Sequence, residues 1–199
     1  MKRLLPFLLL IISYVACIAQ SDCEKAKIDE IRKMYNSEME WINIMLGDET
    51  IPDDYITAKV RHNLAGAGQA EETIEFFFND DFNEEVGGYV SSLDFVRKTV
   101  VYTISERKKY EEFLYDKDGF PAFYYASFQT LCLQHRQHRW VYVEIRAYYD
   151  KGVLFHTICK VGDDESSLKE VAPEDFEDSI FDVFLQFGKL KDALDGMLN

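Results

Sequence analysis

The sequence has little proline and glycine, few basic residues and no long apolar run after its N-terminus. With only 4 Pro and 10 Gly in 199 residues, collagenous and low-complexity classes are excluded. The 22 Lys and Arg are outnumbered by 36 Asp and Glu, for a formal net charge of −14. Because phosphate binding needs clustered basic residues, this balance argues against nucleic acid as a partner. The apolar share of 47% and the high aromatic share of 15% are typical of a folded globular protein.

The N-terminus has the three parts of a secretory signal. Lys2 and Arg3 supply positive charge, an apolar run extends from Leu4 to Val15, and small residues follow. This run is too short to cross about 30 Å of hydrocarbon as a helix. No later stretch is long and apolar enough to span a membrane, so the sequence predicts an exported protein with no transmembrane span after signal removal.

Two processing routes fit this segment. A cut between Ala19 and Gln20 follows the small-x-small rule. It defines residues 1–19 as a signal peptide and residues 20–199 as a single globular domain. The alternative is lipoprotein processing, with lipidation at Cys17. The two routes predict a periplasmic or secreted protein and a surface-anchored one, respectively.

The cysteines left after a cut at Ala19 are Cys23, Cys132 and Cys159, which are far apart in the sequence. An oxidising compartment allows one disulfide among them, with three candidate pairings. No C-x-x-C occurs, so neither a redox motif nor a zinc knuckle is indicated.

Hydrophobic periodicity predicts a helix, a β-meander and a C-terminal helical segment. Residues 24–46 carry apolar side chains at three-, four- and seven-residue intervals, as an amphipathic helix does. Residues 165–198 show similar spacing, as one helix or as two pieces divided at Gly188. Between them the period is two, and strands are predicted at 55–64, 71–78, 95–105, 108–116, 120–132, 139–149 and 153–161. The connections are of hairpin length, so the sheet over 55–161 must be antiparallel.

These elements predict an α+β fold, an antiparallel β-meander of about seven strands packed against the N-terminal and C-terminal helices. A sheet with one apolar face must bury it, and the two helices are the available partners. The order resembles that of cystatin-like and NTF2-like folds, which implies a curved sheet that grips a helix. Because the C-terminal stripe should be core, we expect Phe184→Asp to unfold the protein.

Two turns within the meander are alike. Tyr115–Gly119 and Tyr149–Gly152 each place an aromatic residue before the turn and apolar residues after it. They resemble the Tyr-Asp-x-x-Gly hairpin signature of MORN-type repeat proteins. The resemblance covers these two turns only and implies no function for the chain.

A basic cluster occurs in this acidic chain between the predicted strands 120–132 and 139–149. His135, Arg136, His138 and Arg139 are residue types that hold phosphate, sulfate or carboxylate groups, so this is a candidate anion-binding turn. The alternative is a polar hairpin tip that pairs with acidic residues elsewhere. No third ligand accompanies the two histidines, so no metal site is predicted.

The same two strands concentrate the aromatic residues. Because neighbours along a strand alternate between faces, half of these rings should pack in the core and the others could face outward. Tyr124, Tyr142 and Tyr148 are the candidates for an exposed aromatic surface that binds a sugar or a protein. The alternative is that all of them pack beneath the helices.

The acidic run Asn79–Glu85 alternates oxygen-bearing side chains as a calcium loop does. However, Glu84 stands where that loop needs glycine, and Val90 stands where a bidentate glutamate belongs. We therefore interpret the run as a solvated acidic loop.

Catalytic motifs are absent: there is no G-x-S-x-G, no H-E-x-x-H and no phosphate-cradling glycine loop. His156 and Cys159 lie three apart on one predicted strand, so they face opposite sides of the sheet. No catalytic residue, cofactor or metal is predicted. We expect a non-catalytic binding or interaction module with an unidentified protein or glycan partner. The alternatives are a hydrolytic enzyme, with His62 or His156 near a glutamate, and a structural envelope or surface lipoprotein.

Overall fold

Two helices flank a single sheet of eight strands. The structure is a computed structural model that describes the chain except residues 1–4, 48–54, 65–67, 86, 106, 133–138, 174–176 and 199. The helices are α1 (Leu5–Gly47) and α2 (Glu177–Leu198). The strands are β1 (Tyr55–Leu64), β2 (Gly68–Asn83), β3 (Gly88–Tyr102), β4 (Lys108–Tyr115), β5 (Pro121–Cys132), β6 (Arg139–Asp150), β7 (Val153–Gly162) and β8 (Lys169–Val171). Each strand pairs antiparallel with the next in chain order, which confirms the predicted α+β meander.

Two differences from the predicted strands are the largest. β2 and β3 pair as far as Asn83 and Gly88, so residues 79–83 are strand and not the predicted acidic loop. The eighth strand, three residues long, pairs Val171 with Cys159 of β7. It was missed because three residues are too few to show an alternating pattern.

The helix boundaries also differ. α1 begins at Leu5 and not at residue 24, and no glycine or proline occurs between Phe7 and Leu46 to interrupt it. α2 begins at Glu177, because the first part of the predicted segment 165–198 forms a turn and β8. In that turn the Asp164 carboxylate accepts backbone N–H groups of Ser166 and Ser167. Gly188 does not divide α2.

The sheet has two apolar faces, and one helix covers each. Neighbouring residues such as Phe76 and Phe77 in β2 belong to different cores. On one face, α1 packs its buried side chains Ile28, Ile31, Ile42 and Met45 against Phe77, Phe95, Leu114, Phe123 and Tyr148. On the other, α2 packs Val183, Phe187, Leu190 and Leu194 against Phe76, Val96, Phe113, Tyr115, Tyr124 and Tyr149. This three-layer arrangement differs from a sheet that grips a helix on one face.

Polar contacts attach the middle of α1, at Glu24 and Lys27, to the β6–β7 hairpin. The Glu24 carboxylate lies 2.6 Å from Nδ1 of His156, and Lys27 pairs with Asp150. The hairpin turns at Lys151 and Gly152, which have φ of 50° and 77°. Positive φ at both positions is the geometry of a type I′ turn, which suits the twist of the adjoining strands. The hairpin therefore holds α1 at a defined place along the sheet.

Candidate functional site

A cleft separates the middle of α1 from the sheet. Its volume is about 420 Å³, and we call it the Glu112 cleft. Ile31 and Ile42 are buried against the sheet on either side of this stretch of α1, while the residues between them are more polar. Arg32, Tyr35 and Asn36 of α1 face Glu112, Tyr125 and Arg146 of the sheet, over a floor of Phe123 and Tyr148.

Glu112 is a buried carboxylate held by two tyrosines. The hydroxyl of Tyr35 donates to Oε2 at 2.7 Å, and that of Tyr110 donates to Oε1 at 2.6 Å. Burial, with the adjacent Glu112 carboxylate, raises the pKa of both hydroxyls well above that of free tyrosine. Both tyrosines therefore remain protonated donors, and they fix the position of the carboxylate in the cleft.

Arg146 forms the opposite wall of this cleft. Its Nη2 lies 3.1 Å from Oε1 of Glu144, which also lies 3.4 Å from Nζ of Lys160. The guanidinium carbon lies 5.9 Å from the centre of the Tyr125 ring, within the range of a cation–π contact. These contacts orient the guanidinium while leaving it on the lining of the cleft.

A second cleft, of about 440 Å³, lies on the α2 face of the sheet, and we call it the Arg107 cleft. Its lining includes Tyr102, Arg107, Lys109, Gln129 and Thr130 from the sheet region, with Asp182 and Gln186 from α2. The guanidinium carbon of Arg107 lies 3.8 Å from the ring centre of Trp140, a residue that is 49% exposed. The same carbon lies 5.7 Å from the ring centre of Tyr102.

A row of charged groups crosses the sheet at the base of the Arg107 cleft. The fully buried Glu111 lies 3.0 Å from Nζ of Lys109, and it accepts the Tyr124 hydroxyl at 2.7 Å. Lys98 lies 3.6 Å from Glu111 and 2.9 Å from Glu72. The His62 ring nitrogen lies 2.5 Å from Glu72. Although burial opposes it, the contacts of Glu72 with Lys98 and His62 lower the pKa of that carboxyl.

The predicted anion-binding turn is only partly within the described residues. His135, Arg136 and His138 lie outside them. Arg139 is described, and its Nη1 lies 2.8 Å from the Asp163 carboxylate. Arg139 is thus engaged in a surface ion pair, as the alternative of a polar hairpin tip implies.

The predicted aromatic surface needs correction. Tyr124 and Tyr148 are both buried, and they belong to the two different cores. They cannot form an exposed stacking surface, because each face of the sheet at these positions is covered by a helix. Tyr142 is partly exposed. The aromatic side chains that line a cleft include Phe123, Tyr125 and Tyr148 on one face, and Tyr102, Tyr124 and Phe128 on the other.

The positions of the cysteines in the fold argue against two of the three candidate disulfide pairings, Cys23–Cys159 and Cys132–Cys159. Cys23 is exposed on α1, and Cys159 is buried in the core on the α2 face. A bond between them would have to pass through the sheet. Cys132 ends β5 six residues beyond Ala126, which aligns with Cys159 through Ile145. At about 3.4 Å per residue this separation far exceeds the reach of a disulfide. The side chain of Cys17 lies outside the description, so its lipidation stays a prediction.

Within the described residues, no group of three or more His, Cys, Asp or Glu is placed to hold a metal ion. In the part of the chain that the structure describes, no helix is long and apolar enough to cross a membrane. His156 pairs with Glu24 on the α1 side while Cys159 lies in the α2-side core, so the two residues do face opposite sides.

Comparison with known protein families, with curated proteins and with solved structures finds no match to this chain.

Sequence reasoning missed Arg107, Glu112 and Arg146. A signal for Glu112 does exist, because Glu111 and Glu112 interrupt an otherwise apolar and aromatic strand. Carboxylates in the middle of a strand that is covered on both faces are buried, and buried charges need partners. Arg107 and Arg146 have no comparable local signal, since their roles depend on which residues the sheet places beside them.

A carboxyl group on α1 makes the stability of the protein depend on pH. Burial and the nearby Asp94 carboxylate raise the pKa of Glu38 to about 7. Between its ordinary pKa of about 4.3 and this value, the folded state holds a proton that the unfolded chain releases. The stabilisation is complete below the unfolded pKa and is lost as the pH rises through the folded one. We expect Glu38→Gln to flatten the decline in melting temperature between about pH 5 and pH 7.5.

Thermal unfolding followed by circular dichroism at a series of pH values would test this expectation. Glu40→Gln, an exposed position two residues away on the same helix, is the matched control and should keep the wild-type slope. Identical slopes for wild type and Glu38→Gln would contradict it.

Proposed function

We propose that the chain is an exported, non-catalytic binding module that holds a sugar or a similar hydroxylated ring in the Glu112 cleft. The observation that carries this proposal is the composition of the cleft. An apolar floor of two aromatic rings lies beside a buried carboxylate, an amide and two guanidinium groups. A sugar ring has apolar C–H faces and hydroxyl edges, and this lining offers a partner for each.

The dimensions and hydrogen-bonding capacity support such a ligand. A volume of about 420 Å³ lies within the usual range for small-molecule sites. Each carboxylate oxygen of Glu112 accepts one tyrosine hydroxyl and retains a second lone pair for a ligand hydroxyl. Arg146 and Asn36 supply donors, and Tyr125 supplies ring surface beside Arg146. The carboxylate of Glu112 and the guanidinium of Arg146 are held in place before any ligand arrives.

A binding role is favoured over hydrolysis by what lines the cleft. Glycoside hydrolysis commonly uses a pair of carboxyl groups, and Glu112 is the one carboxylate among the described lining residues. The His–Glu pairs that the hydrolytic alternative calls for do exist, at His62 and His156. Neither histidine is part of the described lining of the two clefts. Export, or anchorage through Cys17, rests on the N-terminal charge and apolar pattern.

Glycan-array screening of the chain from residue 20, followed by calorimetry on the sugars retained, would test the proposal. We expect Arg146→Ala to weaken sugar binding by about tenfold or more, because a hydrogen bond to a charged group contributes about 1.5–3 kcal/mol. Arg61→Ala is the matched control, since Arg61 is an exposed arginine on β1 that pairs with Glu71 at 3.6 Å. Equal sugar affinity in both variants, or no sugar bound by the wild type, would contradict the proposal.

A further inference from the structure

Arg107 differs from the other arginines whose side chains the structure describes. The side chains of six arginines are described, and five of them lie within 3.6 Å of a carboxylate oxygen: Arg32, Arg61, Arg97, Arg139 and Arg146. Within the described part of the chain, Arg107 has no such partner. This is unexpected in a protein with 36 acidic and 22 basic residues, where carboxylates are plentiful.

The position of Arg107 makes the missing partner more significant. Its Nε is buried and has no hydrogen-bond partner among the described residues. A buried donor without a partner is costly, and such groups are rare in folded proteins. The stacking of the guanidinium on Trp140 at 3.8 Å restrains its plane, so the donors keep a defined direction. The residue lines the Arg107 cleft, which leaves room for a ligand beside it.

The other charged groups around the cleft do not pair with Arg107 in the described part of the chain. Lys109 adds a second cation to the lining, but its Nζ is already 3.0 Å from Oε1 of Glu111. Glu111 also accepts the Tyr124 hydroxyl and lies 3.6 Å from Nζ of Lys98, and within the described residues no ion pair joins it to Arg107. Asp182 of α2 also lines the cleft, and its side chain is exposed. No ion pair joins it to Arg107 within the described structure, and water screens an exposed carboxylate.

We propose that the Arg107 cleft is a second binding site, for an oxyanion group such as a carboxylate, sulfate or phosphate. The planar guanidinium presents paired donors that match two oxygens of such a group, and an anion beside it would supply the counter-charge that Arg107 lacks among the described residues. Tyr102, which lines the cleft, offers ring surface for the body of the ligand. The site lies on the other face of the sheet from the Glu112 cleft, so it is independent of the proposed sugar site.

Tryptophan fluorescence provides a direct test. The chain has two tryptophans, Trp41 and Trp140, so a Trp41→Phe background leaves Trp140 as the reporter. Sodium sulfate, inorganic phosphate and sodium glucuronate would be titrated at constant ionic strength, maintained with sodium chloride. We expect a saturable change in Trp140 emission with at least one of them. Saturation by glucuronate alone would identify a carboxylate ligand, and saturation by sulfate or phosphate a tetrahedral oxyanion.

Variants then separate the site from general charge effects. Arg107→Gln should weaken binding by about tenfold or more, as measured by calorimetry because the substitution itself alters the surroundings of Trp140. Arg61→Ala and Arg146→Ala should leave oxyanion binding unchanged. A failure of the oxyanion proposal can therefore be distinguished from a failure of the sugar proposal. If Arg107→Gln does not fold, Arg107→Lys keeps the charge but loses the paired donors, and it should still bind more weakly than wild type. No saturable response to any of the three anions, or equal affinity in the folded Arg107 variant, would overturn the proposal.

Discussion

Replacing Phe187 by alanine is expected to lower the free energy of unfolding by about 3–5 kcal/mol, the usual effect of removing a large buried ring. Phe187 is 1% exposed, and its ring lies 5.2 Å from that of Phe113, 5.1 Å from Tyr115 and 5.6 Å from Tyr149. Its carbonyl also accepts the Tyr115 hydroxyl at 2.8 Å. Since whole domains are stable by about 5–15 kcal/mol, this single change could leave little net stability.

The matched control is Phe184, three residues earlier on α2. Its side chain is 51% exposed, so the expectation that Phe184→Asp would unfold the protein is corrected. Surface substitutions usually change the free energy of unfolding by about 0.5 kcal/mol or less. We expect a change of this size for Phe184→Ala. Urea denaturation followed by circular dichroism would measure both variants. A similar loss for the two positions would mean that α2 is not docked through Phe187.

Glu111→Ala is expected to lower the free energy of unfolding by about 3 kcal/mol, because it removes one partner from a buried charge network. The fully buried carboxylate bonds Tyr124 and Lys109 and faces Lys98, so its loss leaves several polar groups without their acceptor. Lys109 retains partial access to water, which keeps the expected loss at the lower end of the range for buried pairs.

Two further variants make the test of this network sharper. Glu111→Gln keeps an oxygen that can accept the Tyr124 hydroxyl, so its loss of stability should be smaller than that of Glu111→Ala. Glu71→Ala removes an exposed carboxylate that pairs with Arg61, and it should be nearly neutral. The denaturation midpoint should therefore be lowest for Glu111→Ala, higher for Glu111→Gln and highest for Glu71→Ala. Equal midpoints for Glu111→Ala and Glu71→Ala would show that the buried network does not stabilise the fold.

Much of the architecture could be predicted because meanders are locally encoded. The period-two pattern and the short turns indicated seven strands and their antiparallel order, and the structure confirms both for this part of the sheet. The helical stripes indicated both helices for the same reason, although not the start of α1 or of α2. Boundaries depend on where backbone hydrogen bonds find partners, which periodicity does not report.

The packing of one helix on each face of the sheet was harder to predict from the sequence. A strand covered on both faces reads as a continuous apolar run, as at Phe76 and Phe77 or Phe123 and Tyr124. Reading such pairs as one inward and one outward residue led to the expectation of an exposed aromatic surface at Tyr124 and Tyr148. The two clefts could not be inferred either, since each combines residues from a helix with residues from several strands.

The placement of the helices at the two ends of the chain affects the order in which the protein can fold. Every strand pairs with its neighbour in the sequence, so the hairpins can form as soon as their own residues are available. The core beneath α2 is different, because Phe113 and Tyr115 pack against Phe187, which lies more than 70 positions later in the chain. Until α2 arrives, the sheet presents an aromatic face that invites association with other chains. A chain released before Glu177 would display that face permanently, and holdase chaperones that bind exposed apolar surface would be its natural first partners.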